Sequence, residues 1–128
     1  MTKDVALIVG GGPGISASCA RLFAKSGMQV AIAARTPDKP VLQNLERMHG
    51  VRRYACDASE PAAVELLFQN VVRDLGAPRL VVHNIDGRVA GIFRKGITEA
   101  DASMALETLR NSAFSAFLVG QQAARLMR

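Results

Sequence analysis

Short apolar runs at residues 5–9 (VALIV), 29–34 (QVAIAA), 52–56 (RRYAC) and 80–83 (LVVH) alternate with segments of helical spacing. This alternation constrains the fold more than any other feature. A brief, continuous apolar run reads as a strand buried on both faces, and strands joined through helices pair in parallel by right-handed crossovers. Helical spacing is clearest at residues 15–25 (Ile15, Cys19, Leu22, Phe23) and 61–75 (Val64, Leu66, Leu67, Val71, Val72, Leu75), with a shorter helix expected at 41–48. Ser26-Gly27, Gly50 and Gly76 follow these segments as stops, and Ser59 with Pro61 opens the third. The expected class is α/β, with a doubly wound parallel sheet.

The remainder is different. Residues 86–96 form a polar, glycine-containing stretch, Thr98-Glu-Ala-Asp101 looks like a capping box, and Met104 to about Arg128 reads as one long helix. Leu106, Leu109, Phe114, Phe117, Leu118 and Val119 spread over more of its circumference than one sheet face would cover. The run at 80–83 also lacks the proline or charge that blunts an open sheet edge. Residues 1–128 are therefore expected to be a single domain cut from the N-terminal half of a larger one. The parent protein is expected to form a homo-oligomer through the last helix.

Composition narrows the partners. With 128 residues and 49% hydrophobic content, the chain is long enough for a real core. Its N-terminal apolar run is too short for a signal or a membrane span, which favours a soluble cytoplasmic protein without membrane contact. Cys19 and Cys56 lie far apart, so neither a disulfide framework nor a metal site is expected. A net charge of +5 favours anionic partners, nucleotides among them. The basic residues are scattered and only one tyrosine is present, so no nucleic-acid surface is expected.

Between the first run and the first helix stands Gly10-Gly11-Gly12-Pro13-Gly14. Each glycine inside regular structure costs roughly 0.5–1 kcal/mol relative to alanine, so something here must need the backbone. The first amides of a helix lack partners and, with the helix dipole, attract phosphate; glycines let a pyrophosphate reach them. The plainer reading is a tight Gly-Pro turn without a ligand. The position between strand and helix favours nucleotide binding.

The spacing G-x-x-x-G-I from Gly10 to Ile15 resembles the T-G-x-x-x-G-I-G turn of the short-chain dehydrogenase/reductase family, with Val9 for the threonine and Ser16 for the last glycine. The order of segments is similar over essentially all of the chain. The resemblance implies the first four strands of a Rossmann-like sheet in the order 3-2-1-4, ending in a long helix. It also implies a dinucleotide held by Gly10, Gly12, Pro13, Gly14 and Ile15. Asp57 matches the family aspartate that reaches the adenine amino group, and reads equally well as a local turn acceptor. His83-Asn84-Ile85-Asp86-Gly87 stands where the family has N-N-A-G: Asn84 aligns, whereas the glycine comes one residue late. His83 itself reads as a hydrogen-bonded histidine at a strand end.

Where an acidic residue would hold the ribose diol of NAD, this chain has Ala34, followed by Arg35 and Thr36. An arginine offers a 2′-phosphate a planar fork of donors, so NADP(H) is favoured over NAD(H), although a solvated loop arginine is the plainer alternative. The missing acid also disfavours an S-adenosylmethionine site. Family catalysis runs through serine, tyrosine and lysine. Tyr54, the one tyrosine, is followed four residues later by Ala58 and lies in a strand, so it is not that acid. The family's helix asparagine falls at Ser112; Asn111, about 100° around a helix, is expected to point elsewhere. No catalytic residue is expected here. The implied function is the cofactor half of an NADP(H)-dependent oxidoreductase that moves hydride between nicotinamide and a small carbonyl or alcohol. A non-catalytic NADP(H)-binding or regulatory protein is the competing expectation, and a nucleic-acid binder the weaker third.

Overall fold

The computed structural model describes residues 3–92 and 94–127. Its elements run β1 (Val5–Val9), α1 (Ile15–Lys25), β2 (Gln29–Ala34), α2 (Pro40–His49), β3 (Arg52–Ala55), α3 (Pro61–Asp74), β4 (Pro78–His83), α4 (Ala102–Leu109), a π-helical turn (Arg110–Phe114) and α5 (Ser115–Leu126). The strands form one parallel sheet in the order β3-β2-β1-β4. This is the expected Rossmann-like arrangement.

Strand alternation divides the core. Val5, Leu7, Val9, Ala31 and Ala33 point to one face, where α3 brings Val64, Leu67, Phe68 and Val71 and α5 brings Leu118 and Val119. Ile8, Val30, Ile32 and Ala34 point to the other, against Ala17 and Ala20 of α1 and Leu42 and Leu45 of α2. Both faces of the central strands β1 and β2 are covered, which is why these two carry no polar alternation. Each large side chain buried this way contributes about 1.5–3 kcal/mol at most. The register aligns Val9 with Ala33 and with His83, so the loops after β1, β2 and β4 emerge together at the carboxyl end of the sheet.

Several boundaries differ from expectation. α2 begins at Pro40, its first-turn position tolerating a missing N–H, and Gly50 ends it in the left-handed conformation with φ +69°. β3 ends at Ala55, although the Cys56 amide still bonds the Ala34 carbonyl at 3.0 Å. Ser59 does not cap α3: Glu60 precedes the helix, and the Ser59 hydroxyl donates to Asp57 instead. β4 starts at Pro78, so proline and Arg79 do stand at the open end of this edge strand, with an irregularity opposite Val5 and Ala6.

The final helix departs most. Asp101, not Thr98, is the N-cap: its carboxylate accepts from the Ser103 amide at 2.8 Å. The helix is then interrupted where the Ser115 amide reaches back to the carbonyl of Arg110, one residue farther than in an α-helix. Arg128, its expected end, lies outside the described residues. Leu106, Leu109 and Phe117 are each more than half exposed. No helix among the described residues is long and apolar enough to cross a membrane.

Candidate functional site

A cleft of about 670 Å³ opens where the strand-end loops meet, lined by the glycine loop, the ends of β2 and β3, residues 84–88 and Asn111. Gly10, Gly12, Gly14, Ile15, Arg35, Thr36, Asp57 and Asn84 all line it. Pro13 does not.

The glycines fall into two pairs. Gly10 has φ +112° and donates its N–H to Ala33, and a Cβ there would lie 2.0 Å from the Asn84 carbonyl oxygen. At Gly11 an added Cβ would meet Leu42 at 2.9 Å. These two are required by the protein's own packing. Gly12 and Gly14 are not, since an added Cβ would find no heavy atom within 4 Å. Gly14 is also the N-cap of α1, where no side chain caps the helix and no acid stands in the first turn. The helix thus presents its positive end to the cleft without an internal anion.

Ser16, where the family has its last glycine, is buried, and its hydroxyl accepts from the Asn84 carboxamide at 3.0 Å. That bond braces the start of α1 against the segment after β4. Asp57 makes the local turn allowed for it: its Oδ1 accepts from the Ser59 amide at 3.0 Å and the Ser59 hydroxyl at 2.7 Å. The Ser59 hydroxyl in particular holds the Asp57 carboxyl below the usual carboxylate range.

Three cations border the cleft. Arg35 donates from Nη2 to Asn111 Oδ1 at 3.0 Å and pairs through Nε with Asp57 at 3.8 Å. Lys39 donates to the Gly11 carbonyl at 3.0 Å, a placement that sequence reasoning missed although Lys39 directly precedes Pro40. Arg88 binds Asp86 through Nε at 2.7 Å and through Nη2, and this guanidinium brings the Asp86 carboxyl down to about 2.

The expectation that Asn111 points elsewhere is overturned. Asn111 lines the cleft, donates to the Gly87 carbonyl at 3.3 Å and is buried, whereas the Ser112 hydroxyl turns back to Thr108 at 2.6 Å. The extra residue of the π-helical turn changes the phase of the helix, so spacing counted on an α-helix fails there. The late glycine has a matching reason. A Cβ at Gly87 would lie 2.7 Å from the Ser112 amide, so Gly87 is needed by the helix passing over it.

Tyr54 stands apart from these groups. Its hydroxyl donates to Asp74 at 2.9 Å, and burial, reinforced by that bond, pushes its pKa up to about 12. Burial likewise pushes the Cys56 thiol, on the cleft wall, up to about 11. Neither group is poised for chemistry at neutral pH.

The family model for enoyl-(acyl carrier protein) reductase matches residues 10–128. An uncharacterized oxidoreductase of Mycobacterium bovis is 33% identical over 91 residues, which cover 62% of this chain and 25% of the relative. One from Caenorhabditis elegans is 36% identical over 92 residues, 68% of this chain and 29% of the relative. Among solved structures, a short-chain type dehydrogenase/reductase from Mycobacterium marinum superposes with a TM-score of 0.86 at 25% identity, covering 98% of this chain and 51% of that one. An actinorhodin polyketide ketoreductase variant solved with NADPH gives 0.85 at 26% identity, covering 99% and 49%. The chain thus spans about half the length of these structures and matches about a quarter of the curated relatives.

Proposed function

The chain belongs to the short-chain dehydrogenase/reductase family, and from that premise we propose that it is the cofactor-binding half of a cytoplasmic NADP(H)-dependent oxidoreductase. The reaction is hydride transfer between nicotinamide and a small carbonyl or alcohol. One observation carries this reading: an uncapped helix N-terminus at Gly14, beside a glycine whose missing side chain leaves open space, faces a cleft that contains Arg35.

The residues fit such a cofactor. Gly12, Gly14 and the first amides of α1 would receive the pyrophosphate, and Ser16 with Asn84 keeps that loop in place. Ala34 brings no carboxylate to the end of β2, so a 2′-phosphate meets no repulsion there and finds Arg35, Thr36 and Lys39. Asp57, whose Oδ1 is engaged by Ser59 and Arg35, would receive the adenine amino group on Oδ2. When bound, the nicotinamide supplies or accepts the hydride. The chain contains no Tyr-x-x-x-Lys sequence, and Tyr54 is held neutral by its surroundings, so proton transfer is assigned to none of its residues. The exposed Leu106, Leu109 and Phe117 support assembly of the parent protein through this helix.

The test is a pair of titrations with NADPH and NADH, followed by nicotinamide fluorescence. NADPH should bind about tenfold more tightly or better, the difference one charge-assisted phosphate contact makes. Equal affinities would remove the 2′-phosphate assignment, and no saturable binding of either would remove the cofactor.

A further inference from the structure

Building on that cofactor reading, we propose that Asn111 is a positioning residue for cofactor choice: it holds Arg35 across the cleft, and any nicotinamide dinucleotide must first open this latch. Arg35 leaves the end of β2 and, instead of extending into solvent, reaches a residue 76 positions away on the last helix, Nη2 to Asn111 Oδ1 at 3.0 Å. On the way its Nε passes 3.8 Å from Asp57. All three side chains line the same cleft, so the guanidinium occupies ligand space.

The Asn111 end is fixed and the Arg35 end is loose. Asn111 is buried, and its amide nitrogen donates to the Gly87 carbonyl at 3.3 Å, which leaves the oxygen turned to Arg35. Gly87 in turn lies so close to the helix that no side chain fits. The Arg35 side chain is 59% exposed and can swing with little loss of packing. An adenosine that meets Asp57 with its amino group and Arg35 with its 2′-phosphate needs those two residues facing it rather than each other. Opening therefore weakens NADH and NADPH alike, and only the phosphate of NADPH gives the released fork a new partner.

The two partners consequently respond differently to truncation. Arg35→Ala should weaken NADPH about tenfold or more while tightening NADH about threefold, because phosphate contact and latch disappear together. Asn111→Ala should tighten both cofactors about threefold, whereas an asparagine that merely supports the fold would weaken both when removed. Should Asn111→Ala fold poorly, the exposed Arg35→Ala variant decides through its NADH affinity, and NADH binding that is unchanged or weaker overturns the latch. Urea unfolding of the ligand-free single and double variants supplies an independent arm: non-additive losses support the contact, and strict additivity overturns it. If the unaltered chain takes up neither cofactor, the cofactor reading falls and the latch's role with it. Cofactor binding without the Arg35→Ala gain in NADH affinity overturns the latch alone.

Discussion

His83 Nε2 lies 2.8 Å from the Ser115 hydroxyl, which itself donates to the Asn111 carbonyl at 2.7 Å. This chain of contacts ties the end of β4 to the turn where the last helix loosens its winding. The Ser115 hydroxyl has one hydrogen to share among the Asn111 carbonyl, the Ser112 carbonyl and the His83 ring, so its position and the imidazole tautomer are coupled. Burial holds the His83 pKa below its ordinary value, so the folded chain favours the neutral ring. The unfolded chain takes up the proton below about pH 6.5. Stability from this group is thus present above that pH and is lost as pH falls through the lower folded pKa. The urea midpoint should drop between about pH 7 and pH 5, and His83→Gln should flatten that slope. A slope unchanged in the variant would clear His83 of the effect.

The glycine pairs predict opposite outcomes. Gly10→Ala places a Cβ 2.0 Å from the Asn84 carbonyl at φ +112°, and should cost about 3 kcal/mol or more of stability. At Gly14 an added Cβ meets no protein atom within 4 Å, so Gly14→Val should cost less stability than Gly10→Ala, while removing at least about tenfold of NADPH affinity. Thermal melts and titrations on the two variants separate these effects. Full cofactor affinity in Gly14→Val would reduce the loop to a turn.

Tyr54 is the single tyrosine of a chain without tryptophan, so tyrosinate absorbance reports on it alone. The alkaline titration should have its midpoint near 12 in the folded chain and near the ordinary value of about 10 in urea. The sign follows from the raised pKa: its stabilising contribution is complete below about pH 10 and disappears as pH climbs through the folded value. Tyr54→Phe should lose about 1 kcal/mol at neutral pH with the Asp74 hydrogen bond.

At the start of α4 the carboxylate of Asp101 accepts from both the amide and the hydroxyl of Ser103. Asp101→Ala should lower stability by about 1 kcal/mol, and Thr98→Ala by a few tenths at most. Comparable losses from both would restore the capping box beginning at Thr98.

The central strands β1 and β2 and the helix α1 are legible because each depends on local pattern: a parallel strand buried on both faces is apolar nearly throughout, and Gly14 and Ser26 bracket the helix. β4 was read short because Pro78 and Arg79 do not look like strand residues, yet an edge position accepts both. Near residue 100 the sequence pattern points to Thr98 as the cap, whereas Asp101 takes that place through its bonds to Ser103. In the cleft, Arg35 and Asp57 could be located from their places at strand ends. Their contact with each other, and that of Arg35 with Asn111, could not, because it depends on distant segments converging. The phase of Asn111 was misread for the same reason: Gly87 and Ser115 shape that turn, and neither leaves a mark on helical periodicity.

The loosened turn at Arg110–Phe114 marks a place where the gene can change length. Because it absorbs one surplus residue, excising a single codon there would tighten it to ordinary α-helix while keeping Leu118 and Val119 directed at the sheet. Single-residue gaps among natural variants should collect at this spot, and the shorter forms would reorient whichever side chain now reaches Arg35.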